Sequence, residues 1–243
     1  MKTTKLLFAT IFLLALATSA VASPVYLTLT GLPNETAGGG GQFTATLSSD
    51  PTKELLLYCI DYIGEVGYPP DPAFQVNLTD VATLSQVTSN TRYGTTPAGS
   101  FSFGGSTFTA QDRYAMAGYL VTQYNFVSGV TTADNQIQDT IWTLLNTNGA
   151  TFGPGEGVYL TQAENWFNGL NSTQLTAFEN EVTVYTSPGV AGVGSASVNP
   201  QEYVSFQACL TCSPAPVPEP ASLALLGSGL LGIGLIGRKR FQK

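Results

Sequence analysis

Alternating apolar and polar positions predict β-strands near both ends of the central region. Three strands come early, at residues 25–31 (VYLTLTG), 42–48 (QFTATLS) and 54–60 (ELLLYCI), and loops rich in Gly, Pro, Asn and Asp separate them. Strand chemistry returns late, at residues 181–186 (EVTVYT) and 202–208 (EYVSFQA). The body of the chain is therefore expected to begin and end in a sheet.

Between these strands the apolar residues change to helical spacing. Residues 110–126 (AQDRYAMAGYLVTQYNF) and 134–146 (DNQIQDTIWTLLN) follow the helical period, and Asp134 is a candidate N-cap. Shorter helical patterns follow around residues 162–170 and 173–180. The order predicts an α+β fold in a single domain, with a β-rich sandwich or barrel-like part and an inserted helical part.

The glycine run at residues 38–41 separates the first two predicted strands. It lacks the Gly-Lys-Ser/Thr ending of a phosphate-binding loop. We therefore interpret it as a flexible hairpin connection and expect no nucleotide there.

The beginning of the chain has the pattern of an export signal. Lys2 and Lys5 precede an apolar run at residues 6–17, and small residues at 20–22 offer a cleavage site. We expect residues 1–22 to be a signal peptide and the mature protein to begin near Ser23.

The end of the chain has three successive parts. Residues 213–220 are rich in proline, residues 221–237 are apolar, and residues 238–243 are mostly basic. The apolar run is near the lower limit for a bilayer-spanning helix, which needs about 20 residues. Basic residues directly after such a span remain in the cytoplasm, so this segment predicts an inner-membrane anchor behind a body of residues 23–212.

The order of proline-rich, apolar and basic parts around Pro218, Glu219 and Pro220 resembles the PEP-CTERM sorting signal. This resemblance implies an exosortase-like processing enzyme as a partner. It also implies transient residence in the inner membrane and a final location at the cell surface or in the extracellular matrix. The alternative is a permanent single-span anchor, which the same charge pattern would serve.

Charge and composition narrow the function of the body. The net charge is −7, and outside the terminal segments the only basic residues are Lys53, Arg92 and Arg113. Such an acidic surface repels phosphate backbones, so no nucleic-acid partner is expected. The chain has no histidine, which removes the usual general base and the commonest metal ligand. We expect no metal, no cofactor and no enzymatic activity.

The chain contains three cysteines, an odd number for an exported protein. Cys209 and Cys212 could close a short disulfide in an oxidising compartment, which would leave Cys59 unpaired. Cys59 could be a small buried hydrophobic residue, as free cysteine often is.

Two short motifs give Cys59 a second interpretation. Together they resemble the paired signature of bacterial thioester domains, which are adhesin modules with an internal Cys-Gln bond. The first motif surrounds Cys59, and the second is a helical apolar-Gln-X-X-apolar-Trp pattern around Gln138. The residues of the two motifs are Tyr58, Cys59 and Ile60, and Ile137, Gln138, Ile141 and Trp142.

The resemblance implies that Cys59 supplies the thiol and Gln138 the acyl group. A surface or matrix target bearing an amine or a hydroxyl would then be bound covalently. Asp61 or Asp139 could assist proton transfer, although solvated carboxylates are the simpler interpretation. Two alternatives remain: a non-reactive structural protein of an exopolysaccharide or biofilm matrix, and a carboxylate-based glycosidase.

Overall fold

A computed structural model of the chain describes residues 23–37, 39–62, 73–96, 101–145, 156–192 and 200–206. The predicted signal peptide, Cys209, Cys212 and the whole C-terminal sorting segment lie outside these residues. None of the helices within the described ranges is long and apolar enough to cross a bilayer.

The larger sheet is a closed barrel of antiparallel strands in the order β1-β2-β3-β8-β7-β4. Its strands are β1 Val25–Glu35, β2 Gly41–Leu47, β3 Asp50–Cys59, β4 Phe74–Asp80, β7 Val182–Thr186 and β8 Tyr203–Phe206. A small hairpin of β5 Ser102–Phe103 and β6 Ser106–Thr107 forms a second sheet.

Strands β1, β2 and β3 form a meander, because each pairs antiparallel with the next strand along the chain. Successive side chains of a strand point to opposite faces of the sheet. The inward positions of β3 hold Leu55, Leu57 and Cys59, each buried, while Leu56 between them is half exposed. The barrel closes where Cys59 pairs with Tyr203 of β8 and where β1 pairs with β4.

The helices are inserted between β4 and β7. They are α1 Leu84–Asn90, α2 Ala110–Val121, α3 Thr132–Leu145, α4 Glu156–Gly169 and α5 Ser172–Glu179. The first turn of α2 is closed by a capping box, in which Thr109 and Asp112 satisfy each other's backbone N–H groups. Helices α2 and α3 bury their apolar faces in the same core cluster as strands β7 and β8.

The predicted β-rich domain with inserted helices is confirmed, and the sheet is a barrel. The helix predicted over 110–126 ends at Val121, with Thr122 as its C-cap. Beyond it, the hydroxyl of Tyr124 donates to Gln138 of α3. The prediction of Asp134 as N-cap is wrong. Helix α3 begins at Thr132, and the hydroxyl of Thr131 accepts the Asp134 N–H while Asp134 accepts the Thr131 N–H.

The glycine run does connect a hairpin, since Glu35 of β1 pairs with Gly41 of β2. The sequence patterns missed strand β4, helix α1 and the short β5–β6 hairpin. In β4, Thr79 is buried and Leu78 is exposed, so the strand lacks the simple alternation that identifies the others.

Candidate functional site

Cys59 is the last residue of β3 and lies inside the barrel wall, fully buried. Its thiol is 3.5 Å from the backbone carbonyl oxygen of Asp61, to which it donates. The side-chain amide of Gln201, two residues before β8, donates to the Cys59 sulfur and also to the Asp61 carbonyl oxygen at 2.9 Å. The sulfur therefore sits in a polar pocket at the β3–β8 seam.

The thiol of Cys59 is protonated near neutral pH. Burial raises its pKa to about 12, because the thiolate would lose its hydration. Contacts with the side chains of Trp142 and Gln201 favour the thiolate and offset part of that rise. A reaction at this sulfur thus requires that its proton be removed during the reaction itself.

Gln138 lies on the face of α3 that packs against the barrel, and it is fully buried. Its amide nitrogen donates to the backbone oxygen of Cys59 at 3.0 Å. Its amide oxygen accepts the N–H of Gly41 at 2.7 Å and the hydroxyl of Tyr124 at 2.8 Å. A buried amide needs hydrogen-bond partners, and here both the nitrogen and the oxygen of the Gln138 amide have them.

The other residues of the two motifs surround this contact. Ile137 and Ile141 are buried on α3, and Ile60 is buried beyond the end of β3. Trp142, one helical turn after Gln138, is also buried, and its ring lies 5.1 Å from that of Tyr62. The ring of Tyr58 stacks on Tyr124 with centroids 5.4 Å apart.

Asp61 is not the solvated carboxylate that the sequence suggested, because it is fully buried and forms a salt bridge with the equally buried Arg92. Its second oxygen accepts the hydroxyl of Tyr93 at 2.9 Å. A carboxylate held by these donors is poorly placed to take a proton from Cys59. Asp139 is partly exposed on α3.

Glu202 extends this ionic network. Its carboxylate accepts the Arg92 backbone N–H at 2.8 Å and the Tyr114 hydroxyl at 2.7 Å, and it also accepts the Thr186 hydroxyl. Burial raises the pKa of Glu202 to about 7 despite these donors. The network joins the turn around Arg92 to helix α2 and strands β7 and β8.

Sequence reasoning missed Gly41, Tyr124 and Gln201 as members of the site. Tyr124 was placed on a helix, and Gly41 was interpreted as a simple connection. Gln201 contacts Cys59 across 142 positions of the chain, and no local pattern marks such a contact.

The predicted sorting residues Pro218, Glu219 and Pro220, and the possible disulfide of Cys209 and Cys212, lie outside the described residues. A family model described as the PEP-CTERM protein-sorting motif matches residues 216–240. The motif indicates an exosortase-sorted extracellular or surface protein, exported with a C-terminal membrane-anchored sorting segment. No curated protein and no solved structure matched the chain.

Proposed function

We propose that residues 23–212 form a surface adhesin or matrix protein that attaches covalently to its target through an internal Cys59–Gln138 thioester. One observation carries the proposal. The Gln138 amide donates to the backbone of Cys59 at 3.0 Å in a buried position, although 79 positions separate the two residues. A resemblance noticed in two short motifs thus corresponds to a contact between their central residues.

The chemistry of formation follows from the two functional groups. The Cys59 sulfur attacks Cδ of Gln138, the C–S bond forms, and the C–N bond breaks. Ammonia leaves and carries away the proton of the thiol. The product is an acyl group far more reactive than the amide it replaces, held where water has little access.

Attachment is a second acyl transfer. An amine or a hydroxyl on the target attacks Cδ, an amide or an ester forms, and the C–S bond breaks. The proton of the nucleophile passes to the Cys59 sulfur, which becomes a thiol again. Each molecule reacts once, so the protein is an adhesive and not an enzyme.

Gln201 also contacts Cys59, so there are two candidate glutamines for the acyl donor. Both hydrogen bonds of Gln201 are donated by its amide nitrogen, one to the sulfur and one to Asp61. An N–H donor at sulfur stabilises negative charge there. The assignment of Gln138 as acyl donor follows the motif resemblance, whereas Gln201 is the glutamine whose amide contacts the Cys59 sulfur. Gln201 is therefore the second candidate for the acyl donor.

The sorting segment determines where in the cell the proposed site would act. In this proposal the exported chain is held in the inner membrane by residues 221–237. An exosortase-like enzyme then cuts near Pro218–Pro220 and passes the domain to the surface or matrix. Covalent attachment would suit a protein that must stay in place outside the cell.

The test is an intact mass of the exported chain, with and without methylamine, beside an identically processed Cys59→Ala variant. A thioester lowers the mass of the wild type by one ammonia relative to its sequence, and methylamine then adds its full mass. Cys59→Ala should show neither change. A wild type of full mass without a methylamine adduct would refute the thioester.

A second candidate is a non-reactive matrix protein with the same sorting signal. The complete burial of Cys59 and the raised pKa of its thiol favour it, since both properties are typical of structural cysteines. The same mass measurement separates the candidates, because an inert core retains the thiol and the amide.

A further inference from the structure

The outer face of the β1–β2–β3 meander is exposed and almost uncharged. Side chains alternate between the two faces of a strand, so the residues between the buried inward positions point outward. Along residues 26–30, 42–46 and 54–58, Glu54 is the only charged residue at an outward position. Depletion of charged residues is the compositional signal of an interface core.

Four threonines lie at the centre of this face in two neighbouring pairs. Thr28 of β1 is the register partner of Thr46 of β2, and the hydroxyl of Thr30 donates to that of Thr44 at 3.0 Å. Threonine is β-branched and stiff at χ1, so these hydroxyls are ordered before a partner arrives. Ordered side chains lose little conformational entropy on binding.

A row of amide and phenol groups crosses the three strands at one end of the face. Asn34 Nδ2 donates to Gln42 Oε1 at 2.7 Å, and Gln42 Nε2 donates to the Tyr58 hydroxyl oxygen at 3.1 Å. Gln42 is the register partner of both other residues. A side-chain amide has two donor hydrogens and two acceptor sites, so these bonds use only part of its capacity.

Two large side chains project from the face. Tyr26 on β1 is 41% exposed, and Leu56 on β3 is 52% exposed. Leu56 is the register partner of Thr44, and Tyr26 lies two residues before Thr28 on the same side of β1. Apolar and aromatic groups beside hydroxyls and amides suit an amphipathic partner. A sugar ring is such a partner, because it has apolar C–H faces and a rim of hydroxyls.

Charge selects the class of partner. Outside the terminal segments the chain has every acidic residue except Glu219 and only three basic residues, of which Arg92 and Arg113 are buried. An anionic polymer is therefore repelled by the protein. A cationic partner finds only Glu54 on this face. The face is thus complementary to an uncharged partner that is rich in hydroxyls.

We propose that the outer face of β1, β2 and β3 binds an uncharged polysaccharide without a covalent bond. Sugar rings pack on Tyr26 and Leu56, and sugar hydroxyls form hydrogen bonds with the threonines and with Gln42. The binding does not involve Cys59, so it is a second activity beside the proposed covalent attachment. It would hold the domain on a matrix polymer whether or not a thioester forms.

The test measures binding of the exported wild-type chain by isothermal titration calorimetry. The ligands are dextran, hydroxyethyl cellulose and galactomannan, with alginate as the anionic comparison. We expect binding to at least one uncharged polymer, with the same affinity at about 0.1 M and about 1 M salt, because no charge is screened. Absence of binding to all three uncharged polymers, or binding to alginate that weakens with salt, would contradict the proposal.

Two substitutions on the face connect the binding to this surface. Tyr26→Ala removes an aromatic contact and should weaken binding about tenfold. Leu56→Asp places a charge at the centre of the face and should weaken binding at least as much. Val158→Asp is the matched control, because Val158 is 59% exposed on α4, outside the face. Unchanged affinity in both face variants would contradict the proposal.

A second copy of the chain is the competing occupant of this face. In that case the wild type would sediment as a dimer and Leu56→Asp as a monomer, which would overturn the proposal. We expect a monomeric wild type. Cys59→Ala should bind the polysaccharide like the wild type, so failure of the thioester and failure of the polysaccharide surface are separate outcomes.

Discussion

Two buried clusters of polar groups lie next to Cys59, and one is neutral whereas the other contains charged side chains. On one side the Gln138 carboxamide is held by neutral donors, the Gly41 N–H and the Tyr124 hydroxyl. On the other side Arg92 is paired with Asp61 and donates its backbone N–H to Glu202. The first group is neutral and hydrogen-bonded at both amide atoms, whereas the second contains an ion pair.

The difference assigns separate roles to the two groups. Removal of one partner from a matched buried ion pair leaves an isolated charge, so the ionic group should determine stability. Changes in the neutral group should cost less stability than loss of the ion pair and should also change the reactivity at Cys59. The predictions below test this division.

Replacement of Arg92 should have the largest effect on stability. Arg92→Met leaves the carboxylate of Asp61 buried without its cation, and removal of one partner of such a pair costs about 3–5 kcal/mol. The free energy of unfolding, measured with urea, should fall by this amount. Lys53→Met, at a partly exposed position of β3, should change it by less than about 0.5 kcal/mol. Equal effects of the two substitutions would contradict a structural role for the ion pair.

The stability should depend on pH through Glu202. Its pKa is raised from 4.5 to about 7 in the folded protein, so the folded state binds the proton more tightly than the unfolded state. This contribution, worth up to about 3 kcal/mol, is fully present below pH 4.5 and is lost as the pH rises towards 7. Unfolding free energies measured across this range should fall with rising pH.

Glu202→Gln should reduce the slope of that pH profile, because the amide cannot ionise and its oxygen can still accept the Arg92 N–H and the Thr186 hydroxyl. Burial also raises the pKa of Glu179 to about 7, and Glu179 lies outside the Arg92 network. Its contribution to the pH profile should therefore remain in Glu202→Gln. A Glu202→Gln profile as steep as that of the wild type would show that Glu202 is not the group responsible.

A methyl group at Gly40 should affect both reactivity and stability. In Gly40→Ala the new Cβ overlaps the Gln138 carboxamide, and overpacking of this kind costs about 1–3 kcal/mol. The displaced amide should fail to form the thioester, as judged by intact mass. Gly157→Ala in α4 is the matched control, because its Cβ meets nothing within 4 Å. A Gly40→Ala chain that reacts normally would argue against the fixed carboxamide.

The expected effect of Gln201→Ala on stability is also smaller than that of Arg92→Met. The substitution removes two hydrogen bonds, and each contributes about 1 kcal/mol. The variant should still lose ammonia and bind methylamine, although more slowly, because its thiol is less well positioned. Complete loss of the adduct in Gln201→Ala, with an unchanged adduct in Gln138→Ala, would reverse the roles of the two glutamines.

The sequence predicted the β-rich domain with inserted helices because periodicity is a local property. Strands β1 to β3 and helices α2 to α5 contain apolar residues at the spacing of their own secondary structure. Strand β4 was missed because the burial of Thr79 and the exposure of Leu78 depend on its neighbours in the barrel. Closure of the barrel could not be predicted either, since β3 and β8 join through two residue pairs far apart in sequence.

The site was predictable only in part for the same reason. Cys59 and Gln138 lie within recognisable motifs, so their pairing could be proposed from the sequence. Tyr124 and Gly41 act through contacts made by a turn and a hairpin, and Gln201 lies beside Cys59 only because the barrel is closed. Residues that provide single hydrogen bonds to a site have no spacing that marks them.

The most direct test of the thioester is to locate the methylamide after methylamine treatment of the exported wild-type chain. Proteolytic peptides analysed by fragmentation mass spectrometry distinguish Gln138 from Gln201. The thioester account predicts a methylamide on Gln138, an unmodified Gln201 and a newly alkylatable thiol at Cys59. An unmodified Gln138, or a methylamide that persists in Cys59→Ala, would contradict it.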